Sequence, residues 1–308
     1  MALNITLTYH PVDPKVEDLY RELGNVSVFN EVSVLEDFPD TEILVTNFLY
    51  RIDKSILDYL KKLKVIASPT TGLDHINLEE CERRGITVIS LKGETEFLRT
   101  IPSVAELTIW MMLELLRRPH HGRFMGNELK GKTVGFIGFG RIGKQVSERL
   151  VGFEVFGRIF DISDPLFSTT PHTLKFIEKW KHEKTFMSMF SEPDIVSLHV
   201  PLDASTEGMI TEEHLKMMKP SALLVNTARS QIIAPGAIVR AIKEKWIAGY
   251  GTDVTRDEQE LQELEELQKE GFNVVVTRHI FGNTVEARVA TDLFIAKKVQ
   301  EYVEPNRT

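Results

Sequence analysis

Cysteine is nearly absent: Cys81 is the only one in 308 residues. A single thiol forms no internal disulfide and offers no cysteine-based zinc site, so packing must hold the fold together. Cys81 sits between Leu78 and Gly85 in a segment of helical character, where a buried thiol is the expected reading. Positive charge is also short, with 37 Lys and Arg against 45 Asp and Glu and a net charge of −8. A general binder of nucleic acid or of an anionic membrane needs the opposite field, so both partner classes are set aside. No stretch approaches the roughly 18 apolar residues of a membrane span. The first 14 residues carry neither the basic nor the apolar region of a secretory signal, so a cytoplasmic chain is expected. Internal repeats and low-complexity linkers are missing too.

What is present is a globular composition, 42% hydrophobic and 27% charged, which excludes disorder and collagen-like sequence. The length suits about two domains. Leu3, Ile5, Leu7 and Tyr9 alternate with Asn4, Thr6 and Thr8, the period-2 pattern of a strand with one wetter face. Residues 42–45, 65–67 and 86–90 read as further strands, each preceded by a segment of helical character. That is the rhythm of a small parallel sheet. Ser103 and Glu106 form a capping-box pattern ahead of a long helix with Val104, Leu107, Met111 and Leu115 on one stripe. Six strand candidates follow, at 133–137, 155–160, 194–199, 222–226, 249–254 and 273–277, with helical segments between them. A doubly wound six-stranded parallel sheet is expected. A last helix, 284–303, comes after this unit is complete and is expected to pack back on the N-terminal domain.

The first of these six strands runs into Gly138, Gly140 and Gly143, in the order G-x-G-x-x-G, and then into a helix. The first glycine permits the tight turn, the second lets backbone approach a pyrophosphate, and the third lets helix and strand pack closely. Phosphate then meets the N–H groups at the positive end of a helix dipole. Such a motif alone is weak. Here Asp161 ends the next strand, where a carboxylate accepts ribose hydroxyls and repels a 2′-phosphate, which favours NAD over NADP.

Open α/β sheets bind ligands beyond the carboxyl ends of their strands. Beyond the last three strands stand Arg229, then Asp253 and Glu258, then His279. The guanidinium of Arg229 can fork onto a carboxylate and the adjacent carbonyl oxygen. His279 can pass a proton to the oxygen that develops charge, and a neighbouring Glu258 favours its imidazolium form. Each has a plain alternative. Arg229 can be a surface arginine, Glu258 opens an acidic run suited to a solvated helix start, and most of the nine histidines are structural. Their placement at three successive strand ends favours chemistry. His120 and His121 lack a carboxylate partner at ligand spacing, so no metal is assigned.

In the segments 131–143, 194–202, 226–229, 251–258 and 277–279 the chain resembles the D-isomer-specific 2-hydroxyacid dehydrogenases, a group that includes D-lactate, glycerate and 3-phosphoglycerate dehydrogenases. The resemblance spans nearly the whole length. It implies two doubly wound parallel-sheet domains with a cleft between them. One is a flavodoxin-like substrate domain, 1–98 with 284–308, and the other a Rossmann NAD-binding domain, 99–283. It implies an NAD-dependent oxidoreductase that interconverts a 2-oxo acid and its D-2-hydroxy acid, with reduction the expected direction. Arg229 binds and polarises the substrate, His279 is the acid/base and Glu258 tunes it. Gly138, Gly140, Arg141, Ile142, Gly143 and Asp161 hold the cofactor. His199, Val200 and Pro201 line its adenosine side, and Thr227, Ala228 and Asp253 lie by the nicotinamide. Thr71 and Gly72 match the loop whose amides hold the substrate carboxylate, although Gly72 also suits a plain turn. A homodimer through the helix near Ser103 is implied as well.

The chain departs from the family pattern at Ser230 (usually glycine), Gln259 and Arg278 (usually proline) and 234–236 (usually acidic). None of these removes a catalytic group. Arg278 beside His279 can lower its pKa or touch an anionic substrate, and two loop-stiffening prolines are gone. Phe97 and Arg99, in a polar hinge, either pack between domains or face the cleft. A second reading is an NAD-sensing corepressor-like protein of the same fold with little turnover. A third, weaker one is a methyltransferase, since a glycine loop with an acidic strand end also binds adenosylmethionine.

Overall fold

The computed structural model describes residues 2–29, 34–118, 125–163, 180–279 and 282–306. The chain divides into two compact units, Met1–Ile101 with Thr284–Thr308, and Pro102–Asn283. His120 and His121 lie outside the described residues.

In the first unit, β1 (Leu3–Leu7), β2 (Gly24–Val28), β3 (Ile43–Val45), β4 (Val65–Ser68) and β5 (Thr87–Ser90) form a parallel sheet in the order β2-β1-β3-β4-β5. This is the flavodoxin-like order. Because side chains alternate across a strand, Ile43, Val45, Val65 and Ala67 enter one core while Leu44 and Ile66 enter the other. The first core takes Val16 and Tyr20 from the helix Pro14–Arg21, and Ile295, Ala296, Val299 and Val303 from the helix Val285–Val303. The second takes Leu57 and the buried Cys81. Each such fully buried aliphatic side chain contributes about 1.5–3 kcal/mol. Phe97 stacks on Phe294 at 4.0 Å between ring centroids. Both residues belong to the first unit, so Phe97 completes that unit's core.

The second unit holds β6 (Thr133–Ile137), β7 (Phe156–Phe160), β8 (Trp180–His182), β9 (Ile195–Leu198), β10 (Leu223–Asn226), β11 (Gly249–Thr252) and β12 (Val274–Val276). All pair in parallel in the order β12-β11-β10-β9-β6-β7-β8, so the sheet has seven strands where the sequence pattern gave six. The additional strand β8 is a three-residue edge whose Lys181 and His182 are exposed, which leaves no apolar run to read. Likewise β2 is an edge strand of alternating polarity, GNVSV, and its pattern does not stand out from a loop.

Leu223 and Val225 face a core shared with the helix Ser103–Arg117, and Leu224 faces the opposite core, so helices cover both sides. That long helix starts differently from its sequence pattern. Pro102 takes the N-cap position without a side-chain cap, and Ser103 is the first helical residue, nearly buried. With Ser103 already inside the helix, its hydroxyl has lost the geometry a capping box requires. Among the described residues, no helix is long and apolar enough to cross a membrane.

Candidate dinucleotide site and catalytic rim

Strand order in the second sheet reverses between β6 and β9, and a crevice opens beyond their carboxyl ends at such a point. Gly138 leaves β6 there with φ +89°. A Cβ at this position would lie 2.7 Å from the carbonyl carbon and oxygen of His199, so only glycine fits. A Cβ on Gly143 would meet the Gly138 carbonyl oxygen at 2.7 Å, which explains the third glycine as a packing requirement. Gly140 is the N-cap of the helix Arg141–Leu150 and has no heavy atom within 4 Å of where a Cβ would stand. Among the described residues the space beside Gly140 is therefore open, and no side-chain hydrogen bond caps the helix. A cradle of this shape suits a pyrophosphate. Arg141 and Ile142, in the first turn, are half-buried, and burial lowers the Arg141 guanidinium from its usual value.

Asp161, just past β7, is tied to the glycine loop itself. Its Oδ2 accepts the Phe139 N–H at 2.6 Å, and its Oδ1 accepts the Ser163 N–H at 2.8 Å and hydroxyl at 2.7 Å. Burial works against its charge, yet these donors and nearby Lys144 outweigh burial and hold the carboxyl below its ordinary value. It stays an anion and an acceptor at neutral pH, as ribose recognition requires.

His199 follows β9 and donates its backbone N–H to the Ile137 carbonyl at 2.7 Å. Its Nε2 lies 2.9 Å from the Ser197 hydroxyl and its ring stacks on Phe136. Burial pushes the ring down to about 3, so it is neutral in the working range. Val200 packs against the core beside it, and the Pro201 carbonyl accepts the Thr206 hydroxyl at 2.7 Å.

Beyond β10, the buried Asn226 side chain builds the turn that carries the next three residues. Its Oδ1 accepts the Ala228 N–H at 3.0 Å and its Nδ2 donates to the Arg229 carbonyl at 2.9 Å. Thr227 Oγ1 lies 2.9 Å from Thr108 Oγ1 of the long helix. Arg229 is half-buried and donates through Nη1 to the Ala228 carbonyl at 2.8 Å. Asp253, beyond β11, is buried and accepts the Thr277 hydroxyl. The Thr252 hydroxyl donates to the Asn226 carbonyl at 3.0 Å, and the Thr277 N–H donates to the Thr252 carbonyl at 3.0 Å. Three successive strand ends are thus laced together.

Glu258 opens the helix Glu258–Lys269 under an Asp257 cap and is exposed. The carboxylate that turns inward is Glu260, which accepts the Ser230 hydroxyl and the Arg256 N–H. His279 follows β12 in the left-handed region at φ +57°, exposed. That conformation is uncommon for a residue with a Cβ, and Glu154 and Lys245 share it. Arg278 beside it is engaged by Glu265 at 3.1 Å. Arg229, Glu258 and His279 therefore stand beyond the neighbouring strands β10, β11 and β12, in the unit that carries the glycine cradle.

Thr71 and Gly72 belong to the first unit, beyond β4. The Thr70 hydroxyl donates to the Gly72 carbonyl at 2.9 Å and lies 2.9 Å from Ser68 Oγ, which in turn lies 3.3 Å from His75 Nε2. Burial lowers His75 against the opposing pull of Asp74. The hydrogen bonds that Asn226, Glu260 and His75 make in these loops escaped sequence reasoning. Asn226 had a signal, as a short polar residue at a strand end, while Glu260 lay hidden in an acidic run.

The family model for the NAD binding domain of D-isomer specific 2-hydroxyacid dehydrogenases matches residues 104–280. A glyoxylate reductase of Thermococcus litoralis is 35% identical over 286 residues, covering 86% of this chain and 82% of that one. A hydroxypyruvate reductase of Thermotoga maritima is 29% identical over 307 residues, covering 94% of this chain and 95% of that one. The NAD-bound 3-phosphoglycerate dehydrogenase of Entamoeba histolytica superposes with a TM-score of 0.78 at 25% identity, covering 100% of this chain and 97% of that one. With the glycine cradle, the ionised Asp161 and these matches together, the chain belongs to the D-isomer specific 2-hydroxyacid dehydrogenases, a family of NAD-dependent oxidoreductases, with NAD as its cofactor.

Proposed function

We propose that the protein reduces a short, unphosphorylated 2-oxo acid to its D-2-hydroxy acid, and that glyoxylate and hydroxypyruvate are its substrate class. The observation that carries the reading is the row of Arg229, Glu258 and His279 beyond three adjacent strands of the sheet that holds the dinucleotide cradle. The names of the relatives above supply the substrate class.

Gly138, Gly140 and the first turn of the helix Arg141–Leu150 would hold the pyrophosphate of NADH, and Asp161 its ribose. When bound, NADH supplies the hydride that the C2 carbon of the acid takes up. Arg229 binds the substrate carboxylate and the adjacent carbonyl oxygen in a forked pair. The same guanidinium stabilises that oxygen as charge develops on it. His279 delivers a proton to it, and Glu258 favours the protonated ring. Arg278, beside His279, pairs with Glu265 at 3.1 Å. We read the working form as a cytoplasmic homodimer, in keeping with the part-exposed Trp110 on the helix Ser103–Arg117.

The test follows NADH absorbance with glyoxylate, hydroxypyruvate, pyruvate and 3-phosphohydroxypyruvate. The expected result is kcat/KM highest for the first two, by roughly ten-fold or more, the scale at which one pocket contact discriminates. A preference for the phosphorylated acid would overturn the substrate class. NADH binding without turnover on any of the four would favour the cofactor-sensing reading.

A further inference from the structure

The turn that presents Arg229 is held from both sides. Upstream, Asn226 accepts the Ala228 N–H and donates to the Arg229 carbonyl. Downstream, the residue after the arginine is Ser230, 2% exposed, and its hydroxyl donates to Glu260 Oε2. The same oxygen accepts the Arg256 N–H, while the Glu260 N–H donates to Asp257 Oδ1 at 2.9 Å. Arg256 then returns to the first loop, donating through Nη2 to the Ile233 carbonyl at 2.9 Å. Two cross-links, Ser230 to Glu260 and Arg256 to Ile233, therefore join the loop beyond β10 to the loop beyond β11.

We infer that Glu260 is a positioning residue for Arg229. By clamping Ser230 it sets the peptide from which the guanidinium extends, and through the short 256–260 segment it sets the start of the helix that carries Glu258. Ser230 and Gln259 stand where the family pattern has glycine and proline. A hydroxyl in place of glycine gives Glu260 something to hold, and the clamp stiffens a loop that lacks the proline. A buried hydroxyl donated to a carboxylate is a charge-assisted bond, stronger than a neutral one. A misplacement near 1 Å at a substrate-binding group costs up to about a hundred-fold in rate. The inference rests on the reading of Arg229 as the group that binds the 2-oxo acid.

The experiment is steady-state kinetics of Glu260→Ala, Glu260→Gln, Ser230→Ala and Arg229→Ala with glyoxylate and NADH, each checked for folding by thermal unfolding. Glu260→Ala is expected to raise KM for glyoxylate and lower kcat/KM by roughly ten-fold, leaving KM for NADH near the parent value. Glu260→Gln, which keeps an oxygen acceptor, is expected to recover most of that loss. Ser230→Ala removes only the clamped hydroxyl and should raise KM for glyoxylate in the same direction by no more than Glu260→Ala does, with the double variant no worse than Glu260→Ala alone. An equal rise in both KM values, or additive losses in the double variant, would overturn the clamp. Turnover unchanged in Arg229→Ala would overturn the reading of Arg229. Turnover lost in Arg229→Ala but unchanged in Glu260→Ala would overturn the clamp alone.

Discussion

His199 shows how a residue expected at a ligand site serves the scaffold. Its ring is held between Ser197 and Phe136, its carbonyl closes the space beside Gly138, and burial pushes it down from the ordinary 6.5 to about 3. A histidine whose folded pKa is depressed binds fewer protons folded than unfolded between those two values. Its contribution to stability is then full above about 6.5 and is lost progressively as pH falls toward 3. Urea unfolding at pH 7 and pH 5 is expected to show a loss at pH 5 that shrinks in His199→Asn, and an unchanged loss would assign the acid sensitivity to other groups. The same residue explains part of what the sequence kept hidden. Its place beyond a strand end was legible from the motif, whereas its neutrality depends on packing that no local pattern reports. Asp161 was legible as an acid at the end of a strand, but its clamp on the Phe139 N–H was not. Glu260 was invisible for the opposite reason, since any of several glutamates in the run could have turned inward.

The helix Val285–Val303 shows how one element joins distant stretches of chain. Besides Ile295 and Val299 in the core, it carries Asp292, almost fully buried, which accepts the Tyr9 hydroxyl at 3.0 Å and pairs with Arg288 at 3.1 Å. Arg288 also lies over the Tyr9 ring, 4.0 Å from its centroid. Burial outweighs these partners and holds the Asp292 carboxyl above its usual range. Replacing Arg288 by Met leaves that carboxylate buried without its counter-charge, a change that costs about 3 kcal/mol. A carboxyl with a raised folded pKa is favourable when protonated and loses that advantage as pH rises, so the cost is expected to be larger at pH 7 than at pH 5. Urea unfolding of Arg288→Met at both pH values checks this, and an equal cost would show that Asp292 is not the source. Elements with a strong apolar period, such as β6, β10 and this helix, were readable because burial on one or both faces forces the pattern. The edge strands β2 and β8 were not, because an edge takes polar residues and few of them. The start of the helix Ser103–Arg117 was misread because its cap pattern competes with burial of Ser103.

On the proposed reading, an acidic molecule with a net charge of −8 holds an anionic acid and an anionic dinucleotide with local positive ends: the uncapped helix N-terminus at Gly140 and the guanidinium of Arg229. Both sit on one sheet, the cradle beyond β6 and the rim beyond β10, β11 and β12. On that reading the cradle carries most of the cofactor's binding and Arg229 and His279 the chemistry, so the two are expected to be separable by substitution. The most direct test therefore measures two quantities on Arg229→Ala and His279→Ala: NADH affinity by fluorescence titration and turnover of glyoxylate by NADH absorbance. Both variants are expected to bind NADH with near-parent affinity while losing roughly a hundred-fold or more of kcat/KM, the scale of a lost acid/base or charge-stabilising group. Turnover that survives in both would contradict the assignment of the rim as the place where the 2-oxo acid is reduced.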